Sequence, residues 1–373
     1  MNCLRVWRTR LSLLAGMMVS LGIATVTAAE LRWLDVRDLG VEGRGWTNTE
    51  SFFDRLPASA KGKVPESVWG LGHHSAGEAV RFVSDAATLQ VRWELTSASL
   101  AMPHMPATGA SGVDLYVKLP SGEWRWLANG QPRGQTNTAT LASDLPPGRR
   151  EFLLYLPLYN GVRSVELGLN AGADLAPAGP WGTGTRKPIV FYGTSITQGG
   201  CASRPGMAHV ALVGRRFNFP TINLGFSGSG RMEPALADLL AELDPSVFVL
   251  DCLPNLKAAE VAERTEPFVR RLRAARPHTP IVLVEDRNYT DAFLNAGRRT
   301  GNEANHAALR AAYQRLKQAG VKDLHYLRAE DLLGADGEDT VDGSHPTDLG
   351  FVRHADAFAK VLKPLLKRAV KTK

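Results

Sequence analysis

The sequence predicts an all-β sandwich, jelly-roll-like in outline, followed by a doubly wound α/β domain built on a parallel sheet. Three observations predict it. Period-two alternation of apolar and polar residues is confined to residues 30–170. A Gly- and Pro-dense stretch, 171–187, reads as a linker that continues neither a helix nor a central strand. From residue 188 to 373, short wholly apolar runs alternate with segments of helical periodicity.

In the first half, Ala79–Val83, Leu89–Leu95, Val113–Lys118, Glu151–Leu156 and Arg163–Leu169 each alternate, so each strand is expected to have one buried and one wet face. Turn signals separate them at Leu119-Pro120-Ser121-Gly122, Asn129-Gly130 and Pro146-Pro147-Gly148. In the second half, Pro188–Tyr192, Thr221–Leu224, Val247–Leu250, Ile281–Val284 and Leu324–Leu327 read as buried parallel strands. Between them, Asn302–Gln318 carries an apolar stripe at Ala304, Ala307, Ala308, Ala311, Ala312 and Leu316. A closing helix is expected from about Asp348 to Leu366, and right-handed crossovers link the strands.

Residues 1–29 read as a signal peptide. Arg5, Arg8 and Arg10 precede an uncharged apolar run from Leu11 to Ala24, and Thr27-Ala28-Ala29 supplies small residues for cleavage. The run is short for a membrane span, and no later segment has the uncharged length to cross a bilayer. The expected mature protein is periplasmic or secreted, with no stable membrane insertion. Its formal charge is +4, which is the +7 of the whole chain less those three arginines. Much of that charge sits in the tail, at Lys360, Lys363, Lys367, Arg368, Lys371 and Lys373. No aromatic residues interleave these, so no nucleic-acid partner is expected.

Ligands of an open parallel sheet bind at the carboxyl ends of its strands. After the first strand comes Gly193-Thr194-Ser195-Ile196-Thr197-Gln198-Gly199, where Ser195 is equally a nucleophile on a strand-to-helix turn or a helix N-cap. After the second comes Gly225-Phe226-Ser227-Gly228-Ser229-Gly230, a turn able to present a backbone N–H. After the third comes Cys252-Leu253-Pro254-Asn255, where the Asn amide is either an oxyanion donor or the cap of the next helix. Near the end, Asp342-Gly343-Ser344-His345-Pro346 lets a carboxylate meet one ring nitrogen of its chain neighbour and leaves the other nitrogen to face a serine.

In the order Ser, Gly, Asn, Asp-x-x-His, these segments resemble the four blocks of the SGNH (GDSL-like) hydrolases over roughly residues 186–366. Two blocks depart locally, reading Gly-Thr-Ser for Gly-Asp-Ser and Cys-Leu-Pro-Asn for Gly-x-Asn-Asp. In the first half, Gly112-Val113-Asp114-Leu115-Tyr116, with Trp69-Gly70-Leu71 and His74-Ser75-Ala76-Gly77, resembles the Gly-x-Asp-Leu-Tyr β-domain that precedes one SGNH subgroup. The resemblance implies Ser195 as nucleophile, with Asp342 and His345 completing a catalytic triad. It implies an oxyanion hole made by Ser195, Gly228 and Asn255. Asp114 is expected either at the active-site rim or in a structural hydrogen bond within the sandwich.

Cys201 and Cys252 lie near one cleft in the inferred fold, as a disulfide bracing it or as two free thiols. Glu285, Asp286, Arg287 and Arg231 are candidates for substrate contacts, with surface ion pairing as the plainer role. His73, His74, His104, His209, His306 and His354 lack metal-ligand spacing, so no metal is expected, and the implied chemistry needs no cofactor.

The implied reaction is hydrolysis of a small acyl ester, acetyl for preference, with an acetylated carbohydrate as substrate. The alternatives are a short-chain lipid or phospholipid esterase and a non-catalytic carbohydrate-binding protein.

Overall fold

The structure is a computed structural model that describes residues 31–182 and 186–371, so the expected signal segment, with Cys3, lies outside the described residues. Nine strands come first: β1 Leu31–Asp35, β2 Ala79–Ser84, β3 Leu89–Leu95, β4 Val113–Lys118, β5 Trp124–Gly130, β6 Thr136–Ala142, β7 Arg150–Tyr155, β8 Val162–Asn170 and β9 Leu175–Pro177. They pair as two antiparallel sheets, ordered β1-β8-β3-β6 and β5-β4-β7-β2-β9. The expected alternation of buried and wet faces holds in β3, whereas β2, β4 and β7 are buried on both faces because Ala79, Tyr116, Leu153 and Tyr155 pack with Ala211 of the α/β half. In β3, Leu89, Val91, Trp93 and Leu95 are buried, and they sit opposite Leu169, Leu167, Val165 and Val162 of β8. Across the sandwich they meet Val80, Phe82, Val113, Leu115, Phe152 and Leu154. Each such fully buried side chain contributes about 1.5–3 kcal/mol.

Three expectations are corrected here. The 171–187 stretch is not only a linker, because β9 lies within it and pairs with β2. Pro177 is tolerated there because β9 is an edge strand, where a missing N–H breaks no ladder. Asn129-Gly130 is no turn; backbone pairing with Asp114 and Val113 makes it the end of β5. And residues 30–170 are not purely β. Within them lie helix α1, Glu66–Gly72, and the single turn α2, Ala107–Ala110.

The third sheet is parallel, ordered β11-β10-β12-β13-β14, with β10 Ile189–Gly193, β11 Thr221–Gly225, β12 Val247–Asp251, β13 Ile281–Val284 and β14 Leu324–Leu327. The helices are α3 Ser195–Gln198, α4 His209–Phe217, α5 Pro234–Glu242, α6 Ala258–Ala275, α7 Ala296–Gln318 and α8 Asp348–Lys371. One face of the sheet packs on α4 and α8 through Val210, Val213, Ala355 and Phe358. The other packs on α5, α6 and α7 through Leu236, Leu240, Val261, Phe268, Leu309 and Leu316.

Trp46, Leu56, Val64, Val68 and Trp69 join that α/β core, while Phe53 of the same segment packs into the sandwich core, so residues 46–69 straddle the two layers. Arg55 fastens them there. Its guanidinium is fully buried and donates to the carbonyls of Leu71, His74, Asn223 and Gly225. No helix of the described residues is long and apolar enough to cross a membrane.

Candidate active site

β10, β11 and β12 are adjacent, so the segments that follow them emerge side by side at the carboxyl edge of the sheet. The turn after β10 is tight. A Cβ on Gly193 would stand 2.2 Å from Thr197 Oγ1 and 2.5 Å from the Asp251 carbonyl, while one on Gly230 would stand 1.9 Å from the Gly193 carbonyl. Gly193 thus lets the strand pass close under α3 and beside β12, and Gly230 lets the Gly-rich loop after β11 touch the turn after β10. Thr194, not Ser195, caps α3, its hydroxyl accepting the Ile196 N–H at 3.4 Å. That leaves the Ser195 hydroxyl free for another partner.

The partner is His345. Ser195 Oγ lies 2.9 Å from His345 Nε2, and His345 Nδ1 lies 2.8 Å from Asp342 Oδ2. The loop that carries the pair is closed by the Val341 N–H on the His345 carbonyl. Asp342 Oδ1 accepts the N–H groups of Ser344 and His345, which aims Oδ2 at the ring. Burial raises the Asp342 carboxyl, but these N–H donors and the ring outweigh it and hold it below its ordinary value. An imidazole held this way carries its proton on Nδ1 and offers Nε2 as a base.

The Gly-rich loop and Asn255 come together beside this turn. Gly228 has φ +67°, and the loop closes through the Ser229 N–H on the Phe226 carbonyl. Asn255 Nδ2 donates to the Ser229 carbonyl at 2.6 Å, so its side chain meets the loop that carries Gly228. One amide proton is used there and the second remains. Asn255 does not cap the next helix, since it ends a one-turn segment, Leu253–Asn255, and Lys257 precedes α6.

A second layer holds these groups, and the sequence alone showed little of it. Gln198 Nε2 donates to the Leu158 carbonyl and to His74 Nδ1, and its Oε1 accepts the Ser227 N–H. It thereby fixes the Gly-rich loop to the sandwich side. His74 serves as an acceptor because burial, helped by Arg55, pushes it down to about 3. Thr197 donates to Asp251, whose carboxyl burial pushes up to about 7.

Arg287 is not a surface residue. It is buried, pairs with Asp286, and donates to both the carbonyl and the hydroxyl of Ser344, so it grips the loop bearing His345. Glu285 is likewise buried, holding Arg310, Tyr326 and the Ala329 N–H. Arg231 instead lines an open cleft of about 1150 Å³ that includes Gly228.

Asp114 is fully buried. It accepts from Trp126 Nε1 in the sandwich and from Arg204 and the Gly206 N–H on the segment after α3. Its role is structural and crosses between the two halves.

Of the two alternatives for Cys201 and Cys252, the structure has the free thiols and not the disulfide. Both are buried. Cys252 points into the α/β core, its thiol against the Tyr192 carbonyl, whereas Cys201 faces the cleft beside His345.

Two family descriptions match the chain, the GDSL-like lipase/acylhydrolase family over residues 186–363 and the N-terminus of SGNH-hydrolase-type esterases over residues 31–175. No curated protein matches. Among solved structures, a Bacteroides ovatus protein classed as a GDSL-like lipase is 33% identical, with a TM-score of 0.86 over 91% of this chain and 98% of that one. The salicylyl-acyltransferase SsfX3 of a tetracycline biosynthetic pathway is 21% identical, TM-score 0.73, over 90% of this chain and 97% of that one. A family two carbohydrate esterase from Cellvibrio japonicus is 15% identical, TM-score 0.56, over 91% of this chain and 99% of that one. The last two likenesses concern the fold alone.

Proposed function

Because the chain belongs to the GDSL-like, SGNH-type family and is a serine ester hydrolase, we propose that Ser195, His345 and Asp342 are its catalytic triad and that it removes acetyl groups from carbohydrates outside the cytoplasm. The observation that carries the triad is the unbroken line from Asp342 Oδ2 through the His345 ring to Ser195 Oγ.

The chemistry follows from that line. Ser195 Oγ bonds to the ester carbonyl carbon while its proton passes to His345 Nε2. Asp342 keeps the ring in register and stabilises the imidazolium. The oxyanion takes the N–H groups of Ser195 and Gly228 and the spare amide proton of Asn255, each such donor contributing about 3 kcal/mol. His345 then protonates the leaving alcohol. Water, deprotonated by the same nitrogen, splits the acyl-enzyme and releases the acid.

The acetyl and carbohydrate assignment rests on the sandwich beside the site and on the shared fold with carbohydrate esterases. One observation favours a lipid ester instead. Phe293 and Leu294 are exposed, 76% and 80%, on a segment whose Thr290 bonds to Gly343 and Thr340 of the triad loop.

The test is hydrolysis of p-nitrophenyl esters of increasing chain length, alongside acetylated xylan or xyloglucan oligosaccharides and lysophospholipids. Acetate release from the oligosaccharides, lost by about 10⁴–10⁶-fold in Ser195→Ala, is expected. Preference for lysophospholipid would move the assignment to lipids. Glycan binding without turnover in either form would make the protein a binding module.

A further inference from the structure

His104 stands on the loop before α2, which the paired backbone bonds of Met102 and Met105 close. Its ring lies 5.6 Å from the ring of His345, edge to face. Cys201 follows α3 with φ +75°, a left-handed conformation that residues with a side chain seldom adopt. One ligand atom from each of His104, Cys201 and His345 lies within 4.8 Å of the other two. The spacing in the chain hides this cluster, because each residue comes from a different segment.

We propose that His104, Cys201 and His345 form an inhibitory binding site for a thiophilic divalent cation, with Zn²⁺ as the type. Two imidazoles and a thiolate are donors that zinc takes in preference to hard oxygen. Asp342 occupies Nδ1 of His345, so Nε2 is the atom left to bind. A carboxylate on the far nitrogen is also what orients imidazole ligands in zinc sites. Tetrahedral zinc places such donor atoms about 3.4–3.6 Å apart. Closing to that spacing needs about an ångström of movement, and the exposed His104 on its loop supplies it.

On binding, the Cys201 thiol releases its proton to water and forms the S–metal bond. The metal stays divalent and nothing is oxidised. Nε2 then cannot take a proton from Ser195, so metal binding and acyl transfer exclude one another.

The test uses the protein with the metal alone. ZnCl₂ in chelator-free buffer is expected to suppress p-nitrophenyl acetate hydrolysis, and EDTA to restore it. Cys201→Ser and His104→Ala should each raise the half-inhibiting concentration at least about tenfold. A second readout does not depend on turnover. Co²⁺ added to the Ser195→Ala protein should give a thiolate-to-cobalt charge-transfer band at one metal per chain, and Cys201→Ser should abolish that band. Equal inhibition of all three active forms, activation by zinc, or the absence of the cobalt band overturns the site. Were the protein inactive on every ester, the cobalt spectrum would still decide the matter, so this inference and the proposed function fail separately.

Discussion

A serine hydroxyl is a weak nucleophile near neutral pH, and Ser195 differs from the other serines among the described residues through the imidazole 2.9 Å from its hydroxyl. That ring is useful only in one tautomer, which Asp342 imposes. Asp342→Asn keeps the shape but lets the ring present the wrong nitrogen, so kcat should fall by about 10⁴-fold in a protein that still folds. Steady-state kinetics beside a thermal melt checks this.

Asp251 makes an opposite case. Its folded pKa, pushed up to about 7 by burial, lies above the unfolded value near 3.9. A raised carboxyl pKa means that the native state holds its proton longer. Stability is therefore full below the unfolded value and declines as pH rises through about 7. Asp251→Asn, still able to accept from Thr197, should be more stable than the parent at pH 8 and scarcely different at pH 4; melts at both pH values measure it. Asp342 has the reverse sign, since its lowered carboxyl stabilises the fold above the unfolded pKa and loses that contribution as pH falls through its own.

The elements position these groups through two contacts. The first is the touch between the turn after β10 and the loop after β11. Gly230→Ala would press a methyl group onto the Gly193 carbonyl at a residue with φ +68°. We expect a loss of about 2–4 kcal/mol and a lower kcat in whatever folds, read by denaturation and kinetics. The second is the grip of Arg287 on Ser344. Arg287→Lys keeps the charge near Asp286 but loses the fork that spans carbonyl and hydroxyl. The loop bearing His345 should loosen, lowering kcat about ten- to a hundredfold with KM less affected. A fall in KM-linked binding alone would assign Arg287 to substrate instead.

At the scale of the molecule, the sandwich and the α/β layer are not independent beads. Trp46, Leu56, Val68 and Trp69 enter the α/β core while Phe53 beside them enters the sandwich core, Arg55 binds carbonyls of β11, and Asp114 of β4 holds the segment after Ser195. Calorimetry should therefore show one unfolding transition, and two resolved transitions would refute the shared core. Asp114→Asn removes the charge facing Arg204 while keeping an acceptor for Trp126. It should lower stability by about 2–4 kcal/mol and weaken turnover together, because the same contact orders the chain after α3.

Much of this plan was legible in the chain itself. The five parallel strands and five of the nine sandwich strands follow from short-range patterns, which report the period of each element. The order Ser195, Gly228, Asn255, Asp342, His345 was singled out by its resemblance to the four blocks of the SGNH hydrolases. Other features depended on packing between distant segments. They include the seat of β9 and of residues 46–69, the reach of Asp114, the burial of Arg287, the separation of Cys201 from Cys252, and the meeting of His104 with His345. Periodicity says which face of an element is buried, but not against what. Only the closed tertiary structure sets which burials coincide, and with them which polar groups find partners.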